Sequence, residues 1–234
     1  DYELSEIKKD SIYLEQGQQA LEDYFSSIHT DFKKQVNEGV TFLNNKNFDH
    51  FITDRDGTIA NYCGRYQSSI QAVYNAMYLS DFAKKIPGKR IILTAAPLYH
   101  IGLLNISVQP KADYVLAGSK GREFINANGD KFQYPVDEKQ QKKLEQLNER
   151  IEKILKEKAC SVFRYIGSGL QYKFGQTTLA HQDKNKSISQ ERSQQLKKRV
   201  EQLLKDLDPE AQSFQLKDTG KDLEITLVLE KDNE

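Results

Sequence analysis

Short apolar runs in the first half of the chain are separated by segments long enough to form helices. The runs cover residues 51–53, 90–94 and 112–117. A helix is predicted near residues 67–86, and Asn128-Gly129 between apolar residues predicts a hairpin turn with positive φ. Short strands that alternate with helix-length connections form parallel sheets, in which ligands bind at the carboxyl ends of the strands. Residues 48–135 are therefore predicted to form an α/β core.

The polar segment before this core has a helical pattern. Its apolar residues are spaced three, four and seven apart: Leu14, Leu21, Tyr24, Phe25, Ile28 and Phe32. This spacing is typical of one or two amphipathic helices. Residues 1–47 are thus predicted to be a helical segment that packs against the rest of the chain.

The pattern changes again after Pro135. Asp137 is placed to cap a long helix that has one apolar stripe, and a second helix is predicted over residues 189–207. Strands are predicted at residues 161–166, 170–174, 176–181, 214–217 and 223–229. One helix, three strands, a second helix and two strands predict an antiparallel sheet with helices on one face. Residues 136–234 are therefore predicted to be a separate α+β unit.

Composition excludes several classes of function. Lys plus Arg and Asp plus Glu each total 34 among 234 residues, so no overall field would attract nucleic acid or an anionic membrane. Any anion must therefore be bound locally. No apolar run approaches the roughly 20 residues that span a bilayer. Cys63 and Cys160 are too far apart in sequence to indicate a zinc site or a disulfide framework, and a cytoplasmic location is expected.

The most informative motif is an acidic pair that follows the first apolar run. Asp54 and Asp56 are two residues apart, so in extended backbone their side chains point the same way, and Gly57 then permits a sharp turn. One carboxylate can attack phosphorus while the other transfers protons, and Mg²⁺ would let an anionic nucleophile approach an anionic phosphate. Asp54 and Asp56 are also its candidate ligands. The alternative is an ordinary surface turn, since these residue types favour turns.

The run from Asp54 to Thr58 after an apolar strand resembles the first motif of haloacid-dehalogenase (HAD) superfamily phosphatases. The run that ends at Thr94 resembles their second motif, in which Thr or Ser bonds to the transferring phosphoryl group. Residues 136–230 resemble the inserted cap of trehalose-6-phosphate phosphatases and related sugar-phosphate phosphatases. The resemblance implies a Rossmann-like parallel core with an inserted cap and a magnesium-dependent phosphatase activity on a sugar phosphate through an aspartyl-phosphate intermediate.

The same resemblance indicates where substrate binds. Residues 118–123 occupy the place of a core segment that contacts the sugar phosphate, and Lys120 and Arg122 there are candidates to hold substrate oxygens. Solvated loop charge is the alternative. Within the cap run 172–182, the candidates are Lys173, Gln176 and His181.

Several family features are missing. Ala95-Ala96-Pro97 stands where close trehalose-phosphatase relatives have Gly-Arg, and the cap lacks their Tyr-Arg pair after His. The third motif, a Lys, and the fourth, an acidic pair that completes the magnesium site, are not found, because the available Asp206, Asp208, Asp218 and Asp222 do not follow a core strand. We therefore expect a C-terminal remainder of the same protein, in the same or a separate chain, to supply them.

Three functions remain open from the sequence. A magnesium-dependent sugar-phosphate phosphatase is favoured by the ordered motifs and the cap. A phosphotransferase or phosphomutase of the same superfamily would keep Asp54 and Asp56 but protect the aspartyl-phosphate from water. A non-catalytic binding module is favoured by the missing motifs and opposed by the intact acidic pair.

Overall fold

The structure, a computed structural model, describes residues 2–65, 68–98 and 114–228. The chain begins with three helices: α1 (Tyr2–Gln16), α2 (Gln18–Ile28) and α3 (Phe32–Leu43). The sequence predicted one or two helices here, so the structure has at least one more than expected. Gly17, at φ 87°, separates α1 from α2, a backbone conformation that glycine adopts without strain. Leu21 of α2 is buried against Ala72 and Tyr74, so this segment packs on the core.

A five-stranded sheet forms the core. Its strands, in spatial order, are β1 (Phe51–Asp54), β2 (Arg90–Leu93), β3 (Val115–Gly118), β4 (Glu123–Ile125) and β5 (Lys131–Gln133). The first three are parallel, as predicted, and α4 (Val73–Ala83) connects β1 to β2. The β4–β5 hairpin is confirmed, with Gly129 at φ 89°. Ala112 and Asp113, predicted to start the third strand, lie outside the described residues.

Two details of this sheet affect the surroundings of Asp54 and Asp56. Helix α4 is shorter than the predicted 67–86, because residues 69–72 are not helical and Ser69 among them is buried and bonds to Arg55 and Asp56, just after β1. Residue 67 lies outside the described residues. Strand β1 pairs with β2 alone among the described strands, and its Ile52 side chain is 65% exposed. The other long edge of β1 is therefore open in the described part of the chain.

The second unit is a four-stranded antiparallel sheet with two helices. The helices are α5 (Glu138–Lys156) and α6 (Gln190–Leu207), and the strands, in spatial order, are β6 (Leu170–Lys173), β7 (Gln176–Ala180), β9 (Asp222–Leu227) and β8 (Phe214–Asp218). Asp137 caps α5 as predicted, accepting bonds from the backbone N–H groups of Lys139 and Gln140.

The predicted strand over residues 161–166 is wrong. Residues Ser161–Arg164 form a 3₁₀ turn whose backbone bonds are local, such as Phe163 N–H to the Cys160 carbonyl. The turn inserts Phe163 into the core of this unit, where the side chain is fully buried. Only Phe163 is buried in this run, whereas a strand with one buried face would bury every second residue.

The two faces of this sheet differ in chemistry. One face packs against α5 and α6 through Leu179, Leu223 and Ile225. Directly paired residues share a face, so the pairs Lys173–Gln176, Gln176–Thr226 and Thr178–Glu224 place these five side chains on the opposite face. We call these five residues the polar cap face.

The core covers part of the polar cap face. Lys173, Gln176 and Thr178 are all buried. Three contacts join the units beside them: Phe174 N–H donates to Ser119 Oγ at 2.9 Å, Arg122 Nη1 donates to the Gly175 carbonyl at 3.4 Å, and Lys120 Nζ lies 3.2 Å from Glu224 Oε2. The residues between β3 and β4 therefore form part of the contact surface of the core with this unit, and the bridge between Arg65 and Gly167 forms another part.

Ile151→Ala is expected to destabilise the helical layer of this unit. Ile151 on α5 is fully buried in its apolar cluster, so truncation leaves a cavity and should lower the free energy of unfolding by about 2–5 kcal/mol. Urea unfolding of the full-length protein measures this loss. Glu149→Ala, at an exposed position of the same helix, is the control, and equal effects of both variants would contradict the packing described here.

Candidate active site

Asp54 lies at the carboxyl end of β1, where the parallel strands present their ends. Its register partner in β2 is Leu93, directly before Thr94, so Asp54 and Thr94 both lie at the carboxyl end of the parallel strands. The Asp54 residue is exposed, and its carboxylate has no hydrogen bond or ion pair among the described residues. This carboxylate is free to contact a ligand.

Asp56 is held by several donors. Gly57, at φ 86°, turns the chain directly after it, as predicted. Its Oδ1 accepts from Arg55 Nη1 at 2.6 Å and from Ser69 Oγ at 3.1 Å, and its Oδ2 accepts from Thr94 Oγ1 at 2.9 Å. Both oxygens are thus engaged, whereas the Asp54 carboxylate is not.

Thr94 connects the two predicted motifs directly. It is 1% exposed, its backbone N–H donates to the Ala117 carbonyl, and Ala96 N–H donates to its hydroxyl oxygen at 3.2 Å. The hydroxyl hydrogen bonds to Asp56. The structure therefore brings together the three predicted catalytic residues at one sheet edge, with Asp56 and Thr94 in contact.

Sequence reasoning missed Arg55 and Ser69. Arg55 is fully buried, and its Nη2 donates to the Ser69 carbonyl while its Nη1 donates to Asp56. A signal for Arg55 was present, because strand alternation starts its side chain on the face opposite to Asp54, the face on which Thr53 is buried. Ser69 comes from the irregular segment before α4, and no local pattern indicates its position.

Lys120, Arg122 and Gln176 line one cavity of about 560 Å³ between the two units. Gln215, Glu224 and Thr226 contribute to the same walls. Lys120, at φ 62°, reaches Glu224, and Gln176 Nε2 donates to Thr226 Oγ1 at 2.9 Å. The sequence did not single out Glu224 or Thr226, although their alternation with Leu223 and Ile225 indicated a second, polar face. This wall offers charged and neutral hydrogen-bonding groups to a polar ligand.

Lys173 is buried on the same face. Burial lowers its pKa to about 8, and the charge of Lys120 acts in the same direction. Glu224 and Asp222 oppose this shift, but neither forms an ion pair with Lys173 in the described part of the chain. Burial also raises the pKa of Asp222. Lys173 does not line the cavity of about 560 Å³ but borders a separate cavity of about 250 Å³ with Glu123 and Lys131.

The lowered pKa of Lys173 predicts a pH dependence of stability. Between about pH 8 and the ordinary value of 10.5, the folded protein has lost a proton that the unfolded chain still holds. Stability relative to Lys173→Met should therefore increase with pH through this window, by at most about 1.4 kcal/mol per pH unit. Urea unfolding at several pH values measures the difference, with Lys153→Met on α5 as the control. A difference that does not vary with pH would contradict the burial effect.

His181 is not brought to this cavity. Its Nδ1 lies 2.6 Å from Ser193 Oγ of α6, and its Nε2 lies 3.1 Å from Asp218 Oδ1. It therefore lies beneath the helical layer, while Asp218 itself lines the cavity. Contact between His181 and a substrate stays a prediction that the structure does not test.

Metal binding has only partial support in the described residues. No group of three or more His, Cys, Asp or Glu side chains in this part of the chain is arranged to hold a metal ion. Asp208 accepts the backbone N–H groups of Ser213 and Phe214 and so stabilises a turn. Asp54 keeps its oxygens available, while those of Asp56 are occupied. The described residues by themselves do not form a complete magnesium site.

Among the described residues, no helix is long and apolar enough to cross a bilayer.

The parallel core, the residues at the end of β1 and the α+β unit define a HAD-like fold with an inserted cap. A family model described as "Trehalose-6-phosphate phosphatase, C-terminal" matches residues 51–234. The chain belongs to this family. The resemblance inferred from the motifs and the predicted fold class are confirmed.

Similar proteins agree with this assignment. Alpha,alpha-trehalose-phosphate synthase (UDP-forming) 2 of Caenorhabditis elegans is 34% identical over 246 residues, which cover 99% of this chain and 20% of that protein. A trehalose-phosphatase of Caenorhabditis briggsae is 32% identical over 164 residues, covering 69% of this chain and 38% of that protein. The chain thus spans about a fifth of the first relative's length.

Solved structures match the fold at low sequence identity. The C-terminal domain of Candida albicans trehalose-6-phosphate phosphatase has a TM-score of 0.54 at 10% identity, covering 80% of this chain and 60% of that chain. The C-terminal domain of the Candida albicans trehalose synthase regulatory protein has a TM-score of 0.50 at 10% identity, covering 81% and 60%. At these identities the matches show the fold alone.

Proposed function

We propose that this chain is the phosphatase domain of an enzyme that hydrolyses a sugar phosphate, of which trehalose 6-phosphate is the first candidate. The observation that carries the proposal is the contact of Asp56 with Thr94 across two parallel strands, beside the Asp54 carboxylate, which has no partner in the described part of the chain. The names of the similar proteins support the choice of substrate.

The chemistry proceeds in two steps in this proposal. An oxygen of Asp54 attacks phosphorus and the ester P–O bond breaks. Asp56 Oδ2, which takes a proton from solvent once Thr94 has turned to the phosphoryl group, gives that proton to the departing sugar oxygen. Water then attacks phosphorus and transfers a proton to Asp56. The bond from Asp54 to phosphorus breaks, which releases inorganic phosphate and restores both carboxyl groups. Thr94 contributes a hydroxyl hydrogen bond to the phosphoryl group.

Magnesium is part of the proposal as a cofactor. When bound, it would reduce the repulsion between the Asp54 carboxylate and the phosphate. Asp54 is the described side chain best placed to bind it, and Asp56 is the second candidate ligand. The remaining ligands and the family's Lys would come from a further segment of the protein, and the open edge of β1 is a suitable place for that segment to pair.

The cavity beside the polar cap face is proposed to bind the sugar. Gln176, Glu224 and Thr226 offer donors and acceptors suited to hydroxyl groups, and Lys120 and Arg122 add positive charge at the core side. A phosphate-release screen of the full-length protein over sugar phosphates, with and without Mg²⁺, tests the function. Release from trehalose 6-phosphate that requires Mg²⁺ supports the proposal, and absence of release from every sugar phosphate contradicts it.

Gln176→Ala is expected to affect sugar recognition more than the chemistry. Activity on trehalose 6-phosphate should fall about 10-fold with the loss of one polar contact, whereas hydrolysis of para-nitrophenyl phosphate should stay within about twofold. Steady-state kinetics on both substrates measure the ratio. Gln195→Ala, at an exposed position of α6, is the control. Equal losses on both substrates would assign Gln176 to folding instead.

Two observations favour a second candidate, a non-catalytic binding module. Both oxygens of Asp56 are already occupied, and the described residues lack a three-ligand metal cluster. Such a module would bind a sugar phosphate in the cavity without turnover. Isothermal titration with trehalose 6-phosphate, followed by analysis of the ligand afterwards, separates binding without hydrolysis from catalysis. Product analysis with an acceptor sugar separates a phosphatase from a phosphotransferase.

A further inference from the structure

Arg55 is fully buried directly between the two acidic residues of the first motif. A guanidinium group in the protein interior is costly unless its charge is paired and its N–H groups are bonded. Arg55 Nη1 meets Asp56 Oδ1 at 2.6 Å and Ser69 Oγ at 3.2 Å, and Nη2 donates to the Ser69 carbonyl. The buried arginine is therefore paired with a proposed catalytic residue rather than with a structural carboxylate.

The two oxygens of Asp56 have different partners. Oδ1 accepts from both Arg55 and Ser69, so a charged donor and a neutral donor fix it from two sides. Oδ2 accepts only the Thr94 hydroxyl, at 2.9 Å, within the described part of the chain. A hydrogen bond from one neutral donor is weaker than one from a charged donor, so the Oδ2 partner is easier to replace than the Oδ1 partners.

Helix α1 bonds to one residue before and one residue after Ser69 in the sequence. Asn61 Nδ2 donates to Glu6 Oε1 at 2.9 Å, and Tyr74 N–H donates to Asp10 Oδ1 at 3.1 Å. These two bonds flank the segment on both sides of Ser69. Residues on both sides of Ser69, the donor to Asp56 Oδ1, are thus bonded to a helix outside the active site.

Thr94 has one hydroxyl hydrogen. Because Ala96 N–H donates to the Thr94 oxygen, that oxygen is already oriented as an acceptor, and its hydrogen points to Asp56. The hydroxyl cannot donate to Asp56 and to a phosphoryl oxygen at the same time. When Thr94 turns to a bound phosphoryl group, Asp56 Oδ2 becomes available.

We propose that Arg55 is a positioning residue that fixes Asp56 through Oδ1, so that Oδ2 is the oxygen that exchanges Thr94 for the leaving group of the substrate. The inference rests on the proposed function for the identity of the reaction. It assigns Arg55 no contact with the substrate. Its effect on catalysis passes through the orientation of Asp56.

Kinetics of the full-length protein test this role with Arg55→Met and Arg55→Lys. We expect Arg55→Met to lower kcat on trehalose 6-phosphate about 10²-fold with KM within about threefold, because a misplaced Asp56 impairs proton transfer rather than binding. With para-nitrophenyl phosphate as the substrate, the rate of its first-turnover burst should stay within about threefold of the wild-type rate, since para-nitrophenolate leaves without a proton. Arg55→Lys should recover part of kcat, because an ammonium can pair with Asp56 but cannot also hold the Ser69 carbonyl.

Arg90→Met is the control, because Arg90 is a half-buried arginine of β2 that also donates to a backbone carbonyl, that of Ala83. Arg90→Met should leave kcat on trehalose 6-phosphate and the burst rate with para-nitrophenyl phosphate near those of the wild type. If Arg55→Met lowers the burst and kcat on the sugar phosphate by the same factor, or if Arg55→Lys recovers nothing, Arg55 has only a structural role and the inference is overturned.

A thermal double-mutant cycle tests the pairing without relying on activity. Asp56→Asn leaves the buried guanidinium without its counter-charge and should lower Tm by several degrees. In the double variant with Arg55→Met this loss should be partly recovered, since the unpaired charge is gone. Additive Tm shifts overturn the inference whether or not the protein hydrolyses phosphate. Coupled shifts in a protein without any phosphatase activity support the pairing and contradict the proposed function.

Discussion

Asp54→Asn should reduce phosphate release by roughly 10⁴-fold or more, the scale of loss when an enzyme loses its nucleophile. An amide oxygen at this position cannot form the acyl phosphate on which the proposed reaction depends. The fold should remain intact, because the Asp54 residue is exposed and its carboxylate has no partner among the described residues. Steady-state phosphate release by the full-length protein measures the loss.

Asp49→Asn is the control for this prediction. Asp49 is an exposed aspartate that lies just before the other end of the same strand, so its replacement tests the effect of removing a nearby charge. Near wild-type activity of Asp54→Asn would show that another residue attacks phosphorus. A matching loss in Asp49→Asn would show that charge near β1, rather than a nucleophile, is responsible.

Asp56→Asn should slow the hydrolysis of trehalose 6-phosphate by about 10² to 10⁴, the usual contribution of general acid–base catalysis. A sugar alkoxide is a poor leaving group and needs the proton of Asp56, whereas para-nitrophenolate does not. The first-turnover burst from para-nitrophenyl phosphate should therefore be much less affected. Rapid-mixing kinetics with both substrates measure the difference.

Equal losses on the two substrates would contradict the donor role of Asp56. Since Asp56→Asn also leaves Arg55 without its counter-charge, protein folding must be checked by circular dichroism at the assay temperature. A variant that is folded but shows no burst would place Asp56 in ligand binding or phosphorylation rather than in proton donation.

Much of the fold could be predicted from hydrophobic patterning. The three parallel strands, the Asn128-Gly129 hairpin and the cap helices follow from periodicity, caps and turn residues, which act locally. The error at residues 161–166 arose because Val162 and Phe163 are equally compatible with a strand and with a 3₁₀ turn. Only the position of Phe163 in the tertiary core decides between them.

The site could be predicted only where it follows strand ends. Asp54 ends β1, Asp56 follows it by two residues and Thr94 directly follows β2, so the topology brings all three to the carboxyl end of the sheet. Ser69 reaches Asp56 from an irregular segment, and no periodicity in the sequence indicates that contact. Partners that come from loops depend on tertiary structure, which a local pattern does not contain.

Trapping the covalent intermediate on Asp54 tests the central claim most directly. The full-length protein would be mixed with trehalose 6-phosphate, quenched in acid within the first turnover and analysed by peptide mass spectrometry. We expect a phosphoryl group on Asp54. With para-nitrophenyl phosphate as the substrate, Asp56→Asn should accumulate more of it than the wild type, because the second step then lacks its base. A phosphoryl group on a different residue, or full turnover by the Asp54→Asn variant, would contradict the central claim.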